Sequence, residues 1–264
     1  MSASSRRWML RQMALVVVSA VSCARSPGEP RERTARTVPP APKTSPIALV
    51  YRGPATTPDC AESIADLVRA TAWRFDVRFA GPDEATPVTR EALDTAALYV
   101  QPGGGGLDAA FEHLRAHVSD VRGYVWSGGR YLGICLGGYL AGSDPGFALV
   151  PGGADRYIDS PGATIDSEAD TVVRVSWRGR GRYLYFQDGP CFPLPSSAPG
   201  AEVLATYPNG VPAAVLASYG AGRVAVVGPH PEATADWYAD ADLVNPAGID
   251  PAPGYDLIDG LMRP

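Results

Sequence analysis

The chain has 264 residues, 23 basic and 28 acidic, for a formal net charge of −5, and 45% of its residues are hydrophobic. That is the make-up of a folded domain, and its acidic balance argues against a nucleic-acid partner, whose phosphates need a basic stripe. Lys43 is the one lysine in the sequence and sits in a Pro-rich stretch, which argues against Walker-type phosphate binding, Schiff-base chemistry and biotin attachment.

The first elements read as an address. Arg6-Arg7 and Arg11 precede an apolar run from Met13 to Val21, then Ser22-Cys23. A charged start and a short apolar run predict a signal peptide over residues 1–22, and the run is too short to span a bilayer. The paired arginines resemble a twin-arginine export signal. Ala20-Val21-Ser22-Cys23 resembles a lipobox, with Ala20 where leucine is usual, and would make Cys23 the lipidated first residue. The same Ala20-x-Ser22 also suits ordinary signal cleavage, giving a secreted soluble protein. Residues 24–46 hold six prolines and few apolar side chains, which predicts an extended tether over 23–46. Together these point to an exported, membrane-anchored lipoprotein at the cell surface or in the periplasm.

Residues 47–264 are enough for one domain. Ile47–Tyr51 reads as a buried strand; Asp59 then caps a helix to about Ala72, with Ile64, Leu67 and Val68 on one face. Strands follow at Arg74–Phe79 and Ala96–Val100, the latter running into Pro102-Gly103-Gly104-Gly105-Gly106. A helix from Leu107 to Val121 buries Ala110, Phe111, Leu114, Val118 and Val121, and Arg130–Ile134 is a fourth strand ending at Cys135. This order predicts an α/β fold, a mostly parallel sheet flanked by helices. After about residue 165 the texture turns to β-hairpins, at Thr171–Trp177, Tyr183–Phe186, Val203–Tyr207 and Ala213–Tyr219. Arg223–Val227 is one more buried strand, leading to Gly228-Pro229-His230-Pro231-Glu232, and two or three helical pieces close the chain.

Gly133-Ile134-Cys135-Leu136-Gly137-Gly138 stands where a strand meets a helix. A nucleophile there sits on a sharp turn whose flanks must be small, and the helix start favours thiolate. His230, one of three histidines, also follows an apolar strand, and Glu232 lies two residues on. Cys135 as nucleophile, His230 as base and Glu232 as orienting acid form a triad by role. The amides of Gly104 and Leu136 could hold an oxyanion. The alternative is a catalytically silent module that binds a ligand in the same crevice.

These pieces resemble the class I glutamine amidotransferase superfamily, and within it the amidotransferase-like N-terminal domain of fungal biotin–protein ligases and its stand-alone bacterial relatives. The shared stretches are Tyr51–Pro58, Pro102-Gly103-Gly104, Gly133–Tyr139, Tyr185–Gly189, Ala205-Thr206-Tyr207, and Gly222-Arg223-Val224 leading to Gly228–Glu232. The resemblance implies a flavodoxin-like sheet and cysteine-dependent hydrolysis or transfer at an amide or related acyl group of a small molecule or peptide. It also places Arg52 and Asp188 in loops near the crevice, as candidate substrate contacts, and Cys60 and Cys191 on the crevice side, where a disulfide is expected in an oxidising compartment. Biotin ligation is not expected, since no ligase catalytic segment is recognised in these residues, and neither is an ammonia-using synthase domain. No cofactor or metal is expected: His113 and His117 are spaced for a ligand pair, but read as a solvated helix face. Arg178-Gly179-Arg180-Gly181-Arg182 reads as an exposed hairpin turn. Trp73, Trp126, Trp177 and Trp237 read as core or edge aromatics.

Overall fold

The computed structural model describes residues 45–264 apart from 196, 197 and 199. The expected export signal, Cys23 and the Pro-rich tether lie outside the described residues. Among the described residues no helix is long and apolar enough to cross a membrane.

The first half alternates strands and helices: β1 (Ile47–Tyr51), α1 (Pro58–Arg69), β2 (Asp76–Ala80), α2 (Arg90–Asp94), β3 (Leu98–Gln101), α3 (Leu107–Leu114), α4 (Val118–Trp126), β4 (Arg130–Ile134) and α5 (Leu136–Leu140). The second half is mostly strand: β5 (Asp155–Arg156), β6 (Thr171–Trp177), β7 (Arg180–Phe186), β8 (Pro190–Cys191), β9 (Glu202–Thr206), β10 (Pro212–Tyr219) and β11 (Gly222–Val227), followed by α6 (Ala235–Asp240) and α7 (Ala252–Met262). Nine strands form one sheet in the order β2-β1-β3-β4-β11-β10-β9-β6-β7, and β5 pairs β8 in a small second sheet. The run from β2 to β11 is parallel, and every pairing from β11 to β7 is antiparallel. The hairpins expected after residue 165 thus continue the main sheet.

Alternation along β1 explains the layering. Ala48 and Val50 join one core with Ile64, Leu67 and Val68 of α1 and Leu257, Ile258 and Leu261 of α7. Leu49 and Tyr51 face the other core, with Leu114, Val121, Tyr124 and Leu140 from α3, α4 and α5. A strand apolar on both faces needs helices on both, which is what the connections supply.

Of the boundaries that differ from the sequence reading, three have a plain physical cause. Helix α1 begins at Pro58, with Thr57 in extended backbone as the N-cap, because proline's fixed φ suits the first helical position. The helix expected over Leu107–Val121 breaks into α3 and α4 around a tight turn at Arg115–His117. That turn re-phases the apolar stripe, so Val121, Tyr124 and Val125 are fully buried while Phe111 and Val118 are only partly so. Strand β7 starts at Arg180 rather than Tyr183, because Trp177 pairs directly with Arg180. The two-residue turn between them has φ +45° at Arg178 and +77° at Gly179, the twist that suits a hairpin.

Candidate active site

The strands of the parallel half end on one edge, and the turns there define the site. At the end of β4, Cys135 adopts φ +47° and ψ −106°, a strained backbone for a residue with a side chain. Strain of this kind costs about 1–3 kcal/mol and persists only where the surroundings over-determine it. Here the Cys135 amide donates to Val227 O of β11 at 2.9 Å, and Cys135 O accepts from the Gly138 and Tyr139 amides at 2.8 and 3.0 Å. The flanking glycines are a steric requirement. A Cβ on Gly137 would sit 2.0 Å from Gln101 O, and one on Gly133 would sit 2.3 Å from Gly137 O.

The loop after β3 is drawn onto this turn. Gln101 is fully buried, accepts from Tyr99 OH and donates to Ala55 O, so its polar atoms are paired and β3 is tied to the loop after β1. The Gly137 amide donates to Pro102 O at 3.1 Å. Gly103 fills the narrow space between two candidate catalytic side chains: a Cβ there would meet His230 Cε1 at 2.7 Å and Cys135 Cβ at 3.3 Å. Among the described residues, neither the Gly104 nor the Leu136 amide has a backbone acceptor.

His230 follows β11, and its own amide donates to Tyr185 O of β7 at 2.8 Å. Its Nδ1 is 2.8 Å from Glu232 Oε1, and the two residues are 4% and 5% exposed. Burial alone would push the imidazole's pKa down. The Glu232 carboxylate and Cys135 outweigh it and hold the imidazole well above its ordinary value of 6.5. Tyr185 and Trp237 pack edge-on against the ring.

Cys135 opens onto a cavity of about 570 Å³ that Gly104, Leu136, Tyr139, Arg156, Gln187 and Asp188 help line. His230 faces an adjoining cavity of about 440 Å³ with Cys60, Asp170, Trp237 and Asp240; Gly104, Gly105 and Gln187 border both. The cysteine Sγ lies 3.6 Å from Gln187 O. Asp188 holds Arg156 through two hydrogen bonds, at 3.1 and 2.7 Å, and Tyr139 OH donates to Asp188 O at 3.0 Å.

The structure therefore gathers Cys135, His230, Glu232, Gly104, Leu136 and Asp188 at one edge. Arg52 is a correction. It lines neither cavity: its guanidinium is held by Glu84 and Glu62 at 2.6 and 2.9 Å and lies over the Phe79 ring. The Cys60–Cys191 disulfide is a second correction, since both are buried free thiols. Cys60 accepts from Thr57 Oγ1 at 3.0 Å on the His230 side, whereas Cys191 pairs with Asp155 in the small sheet, and burial pushes each thiol up to about 11. Trp237 lines the cavity that His230 faces. His113 and His117 line a separate cavity of about 260 Å³ with Tyr51 and Glu84, and no group of three or more metal-ligating side chains occurs among the described residues. Sequence reasoning missed Arg156 and Tyr139. Tyr139 closes the Gly133–Tyr139 stretch and could have been found there, whereas Arg156 sits in a two-residue strand with no local signal.

Residues 47–156 match the family model described as biotin-protein ligase, N terminal. Over 83 residues the chain is 36% identical to the imidazole glycerol phosphate synthase subunit HisH of Acaryochloris marina (strain MBIC 11017), covering 28% of this chain and 39% of that protein. It is 37% identical over 92 residues to HisH of Gloeothece citriformis (strain PCC 7424), covering 31% of this chain and 44% of that one. The chain thus spans about two fifths of the length of the curated relatives it matches. Among solved structures, a glutamine amidotransferase superposes with a TM-score of 0.55 at 15% identity, over 80% of this chain and 97% of that one. The cytoplasmic protein STM1381 from Salmonella typhimurium LT2 superposes at 0.51 and 15% identity, over 82% and 99%. The turn at Cys135, the strand order and these likenesses agree: the fold is class I amidotransferase-like, and residues 47–156 are similar to the biotin-protein ligase N-terminal family.

Proposed function

We propose that this domain is a cysteine-dependent hydrolase or transferase acting on an amide or related acyl group. The observation that carries the reading is the buried His230–Glu232 pair, set against Gly103 beside a strained Cys135 that opens onto a cavity. A charged imidazole beside a thiol favours the thiolate, the nucleophilic form. Cys135 Sγ attacks the substrate carbonyl carbon, and the carbonyl π electrons move to oxygen, where the Gly104 and Leu136 amides receive the charge. His230 then gives its proton to the leaving amine as the C–N bond breaks, leaving a thioester. Neutral His230 takes a proton from water, or from an acceptor nucleophile, as that attacks the thioester. Collapse expels the thiolate, and Glu232 keeps the imidazole oriented throughout.

The test is the reactivity of Cys135. Iodoacetamide should label it at pH 6–7 faster than a model thiol with a pKa of about 8.5, and His230→Ala should slow that labelling. Cys135→Ser should abolish acylation by p-nitrophenyl acetate with the fold intact. A cysteine no faster than a model thiol and indifferent to His230→Ala would leave the silent binding module as the better account.

From Arg6-Arg7, Ser22-Cys23 and the Pro-rich stretch behind them we also propose that the domain is exported through a twin-arginine-like signal and held to a membrane by a lipid on Cys23. A two-chain lipid suffices for stable attachment. Cys23→Ala should move the protein to the soluble fraction; equal partitioning of variant and parent would refute the anchor.

A further inference from the structure

The loop after β1 touches the site through Thr56 and Thr57. Thr56 is 9% exposed, and its Oγ1 donates to Gly103 O at 2.6 Å across a sequence gap of 47 residues. Thr57 closes on the next residue: a Cβ on Gly104 would lie 2.4 Å from Thr57 Oγ1 and 2.7 Å from Thr57 N. In a trans peptide the carbonyl and the following N–H point in opposite directions. Fixing Gly103 O on Thr56 therefore turns the Gly104 N–H away from the β1 loop. Gly104 borders both cavities, and its amide has no backbone acceptor among the described residues.

Such a peptide needs holding. It joins two glycines, and Gly104 sits at φ +91° with Gly105 at +86°, backbone that glycine enters and leaves at little cost. Rotated by half a turn, the same peptide would present Gly103 O instead of an N–H, and an oxygen there would repel an oxyanion. The loop before it is anchored elsewhere, by Gln101 and by Gly137 N on Pro102 O, which leaves the Gly103–Gly104 peptide as the segment Thr56 controls.

We propose that Thr56 is a positioning residue whose hydroxyl locks the Gly103–Gly104 peptide so that the Gly104 N–H faces the oxyanion. The proposal rests on the acyl chemistry above, and its test separates the two. Acylation of Cys135 by p-nitrophenyl acetate passes through an oxyanion, whereas alkylation by iodoacetamide displaces iodide directly and needs no such hole. Thr56→Val keeps the shape and removes the hydroxyl. It should slow the acylation burst by about tenfold or more, less than the 10²–10³-fold typical of deleting a donor outright, while the alkylation rate stays within about twofold. Thr56→Ser should restore the burst. If Thr56→Val does not accumulate folded, Thr56→Ala is read in the same way. A burst unchanged in the variant, or burst and alkylation slowed in parallel, overturns the lock. A wild-type protein that alkylates rapidly but shows no burst overturns the acyl chemistry and the lock with it.

Discussion

The two halves of the sheet reach the same crevice by different means. On the parallel side, β3, β4 and β11 end in turns where backbone meets backbone: Gly137 against Gln101 O, Gly133 against Gly137 O, the Cys135 amide on Val227 O. On the antiparallel side, β7 runs out to Gln187 and Asp188, and the wall is made of long side chains, with Arg156 spanning to Asp188 and Glu168. The candidate nucleophile and base are thus set by covalent geometry and main-chain contacts. The surface a substrate meets beyond them is set by charges on flexible stems. The first arrangement leaves little room for substitution, and the second leaves a great deal.

The sharpest way to break the contrast is Gly137→Ala. Its Cβ would lie 2.0 Å from Gln101 O, so the turn must move, and overpacking of this kind costs about 1–3 kcal/mol or more. Chemical denaturation should show that loss together with slowed Cys135 alkylation; an unchanged midpoint would mean that the turn has slack.

Next in size is Glu232→Gln, read as a function of pH. The folded pKa of His230 lies above 6.5, so the charged pair stabilises fully below 6.5 and the contribution fades as pH rises through the raised value. Removing the carboxylate charge should cost about 1–3 kcal/mol near pH 6 and progressively less toward the alkaline end. An equal loss at both ends would show that the charge of His230 plays no part.

On the antiparallel side Arg156→Ala should change stability by less than about 1 kcal/mol, because its partners are partly solvated. Its effect should appear in selectivity: the Cys135 labelling rate with anionic iodoacetate, relative to neutral iodoacetamide, should drop by about two- to fivefold. A constant ratio would separate Arg156 from the electrostatics of the cavity. Smallest of all, Arg182→Ala on the outer strand removes a 3.8 Å contact with Asp250 and should shift stability by less than about 0.5 kcal/mol in calorimetry.

The same contrast governs what could be read in advance. The parallel strands were legible because they are short apolar runs, and the sharp turn at Cys135 was legible because small residues, Gly133 and Gly137, flank a nucleophile where a strand meets a helix. The hairpins were legible from alternation and from the Arg178-Gly179 turn. Their joining to the parallel strands was not, since β9 to β6 and β11 to β4 are non-local pairings that no local pattern encodes. Arg52 was misplaced for a related reason. Its neighbours Thr56 and Thr57 do reach the site, but Glu84, 32 residues away, captures the guanidinium first. Arg156 and Thr56 owe their positions to partners 32 and 47 residues distant.

One contact joins the halves at their most consequential point. The His230 amide donates to Tyr185 O of β7, the strand at the open end of the sheet. Local opening starts at such margins, with free energies well below that of global unfolding. The deuterium uptake of the His230 amide should therefore follow the amides of β7 rather than those of β11, although β11 is the strand that leads directly to it. An excursion of the outer hairpin would release the imidazole from this main-chain anchor, so an edge strand several places from β4 in the sheet is expected to bear on how often the site is ready to react.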